Sequence, residues 1–90
     1  MKDTERIFIE RKNEMRERII EVIKRVNEEI LKYDGDNIIG EGIVDSFEII
    51  SLITEFEEEF NIEIDAEYVV AERLNNAEGI IKTIEMIMGE

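Results

Sequence analysis

GIVDSFEIISLITEFEEEF, residues 42–60, sets a glycine-bearing loop against a run in which apolar and acidic residues recur at helical spacing. Asp45 is a good N-cap, because its carboxylate accepts from the free N–H groups of a helix start, and Glu48 three residues on completes a capping-box pattern. The spacing predicts a helix that begins at Ser46, buries Ile49, Leu52, Ile53, Phe56 and Phe60 along one stripe, and ends at Asn61. With Asp45 serving as the cap, the Ser46 hydroxyl is left to project. It stands at a helix N-terminus, where the dipole and unpaired N–H groups favour a phosphate. A DS pair taken alone is more often a cap than a site, since small polar residues crowd helix starts for that reason only.

Upstream, MRERIIEVIKRVNEEIL carries Met15, Ile19, Val22, Ile23, Val26 and Ile30 at helical spacing with charges opposite, which predicts one long helix. Asp34-Gly35-Asp36-Asn37 breaks it, and a loop of roughly ten residues follows. Phe8 lies one heptad before Met15, so the pattern extends back to about Thr4. At about 1.5 Å per residue this helix measures about 40 Å, against about 22 Å for the one beginning at Ser46. Its start overhangs, leaving Ile7, Phe8 and Ile9 in need of cover from a partner chain or a local fold-back, so self-association through residues 1–12 is expected. Downstream, Ile62 and Ile64 have the alternation of a short strand, while residues 66–74 read as a short helix. Asn75 with Glu78 reads as a second capping box, opening a last helix on Ala77, Ile80, Ile81, Ile84, Ile87 and Met88 that stops at Gly89. The expected fold is all-α: a bundle of three main helices and one short one, with a long loop after the first.

Ninety residues hold one small domain, and 43% hydrophobic residues suffice for a modest core. The net charge of −13 is uneven: residues 1–32 carry nine Lys and Arg against eight Asp and Glu, a balance of +1, and residues 33–90 carry two against sixteen, a balance of −14. Such a chain repels phosphate backbones and anionic lipid, so basic protein surfaces are the expected partners rather than nucleic acid or membrane. No apolar run approaches the roughly eighteen residues of a membrane span. MKDTERIFIE lacks the apolar stretch of a signal peptide, which makes a cytoplasmic location the expectation. Without Cys or His the chain has no thiolate, no imidazole base and none of the usual zinc ligands.

Two acidic segments invite metal readings. In DGDNIIGEGIVD, Asp34 and Asp36 fit the first and third positions of a calcium loop. Ile38 replaces the fifth-position oxygen ligand, Ile39 the glycine and Asp45 the bidentate glutamate, so the match fails. In EFEEEF, Glu55, Glu58 and Glu59 share one broad helix side, where close carboxylates repel unless a cation or basic partner neutralises them; the plainer reading is a solvated face.

The stretch GIVDSFEIISLITEFEEEFNIEI resembles the acyl carrier proteins and their peptidyl and D-alanyl carrier relatives, in which G, two hydrophobic residues, D, S and a hydrophobic residue open the second helix. The resemblance covers roughly residues 14–88. It implies an acyl-carrier-protein-like four-helix bundle, with residues 1–13 as an N-terminal helical extension and 14–90 as the carrier domain. It also implies a carrier rather than an enzyme: a phosphopantetheinyl transferase uses coenzyme A and magnesium to attach 4′-phosphopantetheine to Ser46, and the arm's thiol bears an acyl or aminoacyl thioester. Asp45, Glu48, Glu55, Glu57 and Glu58 are then the acids offered to basic patches on partner enzymes, with Phe47 and Ile64 or Tyr68 as apolar contacts. Asp45-Ser46-Phe47 resembles D-alanyl and specialised carriers, and the pathway implied is fatty acid, specialised lipid or secondary-metabolite synthesis. The competing reading is an unmodified acidic helical domain that docks basic proteins.

Overall fold

The apolar stripe of the first third of the chain is realised as a helix broken near its end. In the computed structural model, which describes residues 3–89 and the side chains of that span other than 3–10 and 12, α1 runs Asp3–Asn27 and a short α2 follows, Glu29–Lys32. The spacing alone predicts no interruption. Asn27 supplies it: its Oδ1 accepts from the Glu29 N–H at 2.9 Å, a local bond that competes with the helical ladder. α2 still returns Ile30 to the core. At 25 residues α1 measures about 37 Å, which fits the long axis of a molecule 45 × 27 × 22 Å across. The side chains of Ile7, Phe8 and Ile9, and with them the expected contact through residues 1–12, lie outside the described residues.

α3 spans Ser46–Phe60 and starts and stops where its sequence predicts. Asp45 Oδ1 accepts from the Glu48 N–H at 2.8 Å and Glu48 Oε1 accepts from the Asp45 N–H at 3.4 Å, so both halves of the capping box are present. Asn61 ends the helix in the left-handed conformation, with φ 53°. Ile49, Leu52, Phe56 and Phe60 are buried and Ile53 is half-buried.

The expected helix over residues 66–74 is replaced by a single 3-10 turn, Ala66–Tyr68. Val69, with φ −93° and ψ 67°, leaves helical geometry, and only Leu74 of this segment is buried. Two adjacent stiff β-branched residues and a single core anchor give a helix little to propagate on. Ile62 and Ile64 form no strand either, and the described residues contain none.

α4, Ala77–Ile87, corrects the expected cap by one residue. Asn76, not Asn75, accepts from the Gly79 N–H, at 2.8 Å. The Asn75 carbonyl instead takes the Ile38 N–H at 3.1 Å, and the Glu78 carboxylate pairs with Arg16 of α1, so neither serves the box read from sequence. Gly89, at φ 84°, follows the helix end.

α1, α3 and α4 close on Ile19, Val22 and Ile23, on Phe56, and on Ile80, Ile81 and Ile84. The first loop belongs to this core as well. Ile38 is fully buried and Val44 nearly so, and the Ile38 carbonyl accepts from Ile43 N at 2.9 Å and Val44 N at 3.1 Å. Tyr33 straps the loop from outside, its hydroxyl donating to the Glu41 carboxylate and accepting from the Asn37 N–H. No helix among the described residues is long and apolar enough to cross a membrane. Phe56 is the largest fully buried side chain and stacks on Phe60 with ring centroids 6.4 Å apart. Truncating Phe56→Ala should lower the free energy of unfolding by about 3–5 kcal/mol, read from the shift in urea midpoint at unchanged slope.

Candidate functional site at the start of α3

Ser46 is the first residue of α3, exposed, and its hydroxyl makes no hydrogen bond among the described residues. Asp45 is the reason, since its carboxylate already holds the Glu48 N–H. The N–H groups of Ser46 and Phe47 have no partner among the described residues and point outward from the helix start. The loop reaches this start through Gly42, whose φ of 76° suits a residue without a side chain.

Apolar surface borders the serine on two sides. Phe47 is 81% exposed and Ile50 63%. Beside Ser46 a groove of about 230 Å³ runs between α3 and the segment before α4, lined by Ile39, Ile49, Ile50, Val69, Val70 and Leu74. Ile50 is the functional candidate that the sequence reading passed over. Its signal was present: an apolar residue one turn after Ser46 and out of phase with the buried stripe.

The other two apolar candidates lie elsewhere. Ile64 and Tyr68 are half-buried and line an interior cleft with Leu52, Ile53, Phe56 and Ile84, whose free volume is only about 10 Å³. Tyr68 is further covered by the Arg73 guanidinium, 5.3 Å from its ring centroid. They are packing residues first.

The five acids read as a docking face are divided by the fold. Asp45 and Glu48 are engaged in the cap, and Glu48 Oε2 also accepts from Asn27 at 3.0 Å. Glu55 pairs with Arg25 at 3.2 Å, and Glu57 accepts from the Ile64 N–H at 2.9 Å. Glu58 faces solvent with no partner among the described residues. The crowding of EFEEEF is relieved internally. Arg18 donates to Glu59 Oε2 and to its carbonyl, each at 3.0 Å, while Arg25 reaches Glu59 Oε1 at 3.4 Å. Arg18 and Arg25 stand one heptad apart on α1, opposite Glu55 and Glu59 one turn apart on α3, a match visible only once the helices are known to pack together.

The hydrogen bond from Arg18 holds the Glu59 carboxyl below its ordinary value of 4.5, aided by the Arg18 charge and by Arg25 and opposed by desolvation. The Arg16 hydrogen bond does the same for Glu78. No basic side chain occurs anywhere in residues 33–72, so an anion at Ser46 would meet the helix terminus and not a cation of that stretch.

No protein-family model, curated protein or solved structure matches the chain.

A carboxylate whose folded-state pKa lies below its unfolded one adds stability that is full above the unfolded value and is lost as pH falls through the folded value. The urea midpoint of the natural chain should therefore fall as pH drops below 4.5. Glu59→Gln should be less stable at neutral pH and decline less steeply; parallel curves for the two proteins would contradict the assignment.

Proposed function

We propose that this chain is an acyl or aminoacyl carrier with an acyl-carrier-protein-like four-helix arrangement, whose Ser46 holds a 4′-phosphopantetheine arm. The observation that carries the reading is the exposed Ser46 hydroxyl, left unused by capping because Asp45 and Glu48 cap each other. The residues present fit the group. A phosphodiester on Ser46 would be held by the unpaired N–H groups of Ser46 and Phe47 and favoured by the positive end of the α3 dipole. The apolar groove beside it offers a resting surface for the part of the arm nearest the phosphate.

The arm, when bound, supplies a thiol for thioester formation that a chain without Cys lacks. Nothing beside Ser46 activates its hydroxyl: the Asp45 carboxylate is committed to the Glu48 N–H, and the chain has no His. On this reading the proton is removed by the partner, a phosphopantetheinyl transferase, and the chain serves as a carrier for the enzymes that load and unload the arm. Tethering keeps the cargo at high effective concentration near each partner. Basic docking patches would meet Glu58 on the side of α3 that bears Phe47 and Ile50, while Asp45, Glu48, Glu55 and Glu57 contribute only by sharing or giving up their internal partners. A cytoplasmic setting, where coenzyme A and such enzymes occur together, belongs to the same proposal.

The exposed pair Phe47 and Ile50 also suits a domain that binds a partner with no modification. One measurement separates the two readings. Incubated with coenzyme A, magnesium and a broad-specificity transferase, the natural chain should gain the mass of one phosphopantetheine, and Ser46→Ala none. An unchanged mass, or the same gain in Ser46→Ala, removes the carrier reading.

A further inference from the structure

One side chain from the far end of α1 grips the turn that presents Ser46. Asn27 is half-buried, and both protons of its Nδ2 are used: one on the Ile43 carbonyl at 3.0 Å, the other on Glu48 Oε2 at 3.0 Å. Its Oδ1 accepts from the Glu29 N–H at 2.9 Å. The three partners fix which way the amide points, because the flipped amide would set an oxygen against two acceptors and an NH₂ against a donor. Ile43 precedes Ser46 by three residues and Glu48 follows it by two. The amide therefore spans the turn, holding the loop strand on one side and the first turn of α3 on the other.

Glu48 is the link in this arrangement. One carboxylate oxygen accepts from Asn27 and the other from the Asp45 N–H, while the Glu48 N–H donates to Asp45. Without Asn27 the cap retains its internal bonds but loses its tie to α1. Nothing else among the described side chains bonds to the Ile43 carbonyl. The turn between Gly42, in its left-handed conformation, and Ser46 then keeps its apolar anchors, Ile43 and Val44, and the backbone bonds to Ile38, but no side-chain hydrogen bond to α1.

Resting on the carrier reading, we infer that Asn27 is a positioning residue for Ser46: its amide holds the 43–48 turn so that the hydroxyl is presented in one orientation to the enzyme that modifies it. Asn27 touches neither the hydroxyl nor the incoming group and acts only through Ile43 and Glu48. The break after Asn27 belongs to the same device, since the bond to Glu29 that ends α1 also orients the amide.

The test compares the full-length chain with variants in transfer from coenzyme A by a broad-specificity transferase, beside backbone amide exchange. Asn27→Asp keeps the acceptor for Glu29 and replaces both donors with an anion facing Glu48. It should lower kcat/KM for modification by about tenfold, the scale set by losing buried hydrogen bonds, and Asn27→Ala should do likewise. Amide exchange should quicken at the hydrogen-bonded amides of Ile43, Val44 and Glu48 and stay slow at Ile80 and Ile81. Adding Glu48→Gln to Asn27→Asp restores a donor and acceptor pair between the two positions but not the bond to the Ile43 carbonyl, and glutamine still fits a capping box; this double variant should regain part of the lost rate. A single variant modified at the natural rate, or a double variant no better than Asn27→Asp, overturns the inference. If the natural chain itself takes no arm, the carrier reading fails. The exchange pattern then decides whether Asn27 clamps the turn: quickening confined to the bonded amides of Ile43, Val44 and Glu48 supports the clamp, and its absence overturns it.

Discussion

The reciprocal cap between Asp45 and Glu48 is the constraint on which the candidate site depends. It fixes Ser46 as the first residue inside α3 instead of the cap itself, and that one-residue difference separates a hydroxyl consumed by the backbone from one that faces solvent. With the start fixed, Ile49, Leu52, Phe56 and Phe60 turn inward while Phe47 and Ile50 turn outward. The same bonds tie the helix to the rest of the fold, since Glu48 is also the contact for Asn27.

The charge distribution gains a physical meaning from the packing. Residues 33–90 carry sixteen acids and two cations, and α1 provides counter-charge to three of the acids, Glu55, Glu59 and Glu78, through Arg16, Arg18 and Arg25. Each of these pairs is exposed enough to contribute little alone. Their effect lies in relieving repulsion between carboxylates and in selecting how α1 lies along α3, with Arg18 also covering the Phe60 ring at 4.6 Å. The acids left available to a basic partner are consequently a subset: Glu58 at the solvent face, rather than Glu55 or Glu59.

What the sequence made legible was local. The Asp45 cap, the end at Asn61 and the buried stripe of α3 depend on residues within a turn of one another, and the helical stripes of α1 and α4 follow the same rule. The misread features depend on distant partners. Glu78 looks available to a capping box until Arg16, 62 positions earlier, takes its carboxylate. Asn27 reads as one more polar residue in a helix until Ile43 and Glu48 come within reach of its amide. Residues 66–74 have helix-compatible composition, but a segment with one core anchor has too little burial to hold a regular helix. Ile64 and Tyr68 looked like surface contacts for the same reason: which way a non-periodic segment turns its side chains is decided by what it packs on.

Leu74 shows how the two apolar spaces near Ser46 are related. It lines both the open groove beside the serine and the closed cleft behind it, so it forms part of the wall between about 230 Å³ of accessible space and about 10 Å³ of interior. The smaller value is on the scale of a single water, which means that Ile53, Phe56 and Ile84 fill the interior instead of lining a tunnel. Any group too large for the groove can gain room in two directions. Through α3 it must displace Ile49, buried on the first turn of a capped helix. Through Leu74 it displaces a side chain whose backbone is held by a turn, the N–H groups of Arg73 and Leu74 both donating to the Val70 carbonyl. Local opening is least costly where few buried contacts and few cooperative hydrogen bonds must be lost together. The adaptable wall of the site is therefore the segment before α4, and α3, which bears Ser46, is the rigid one.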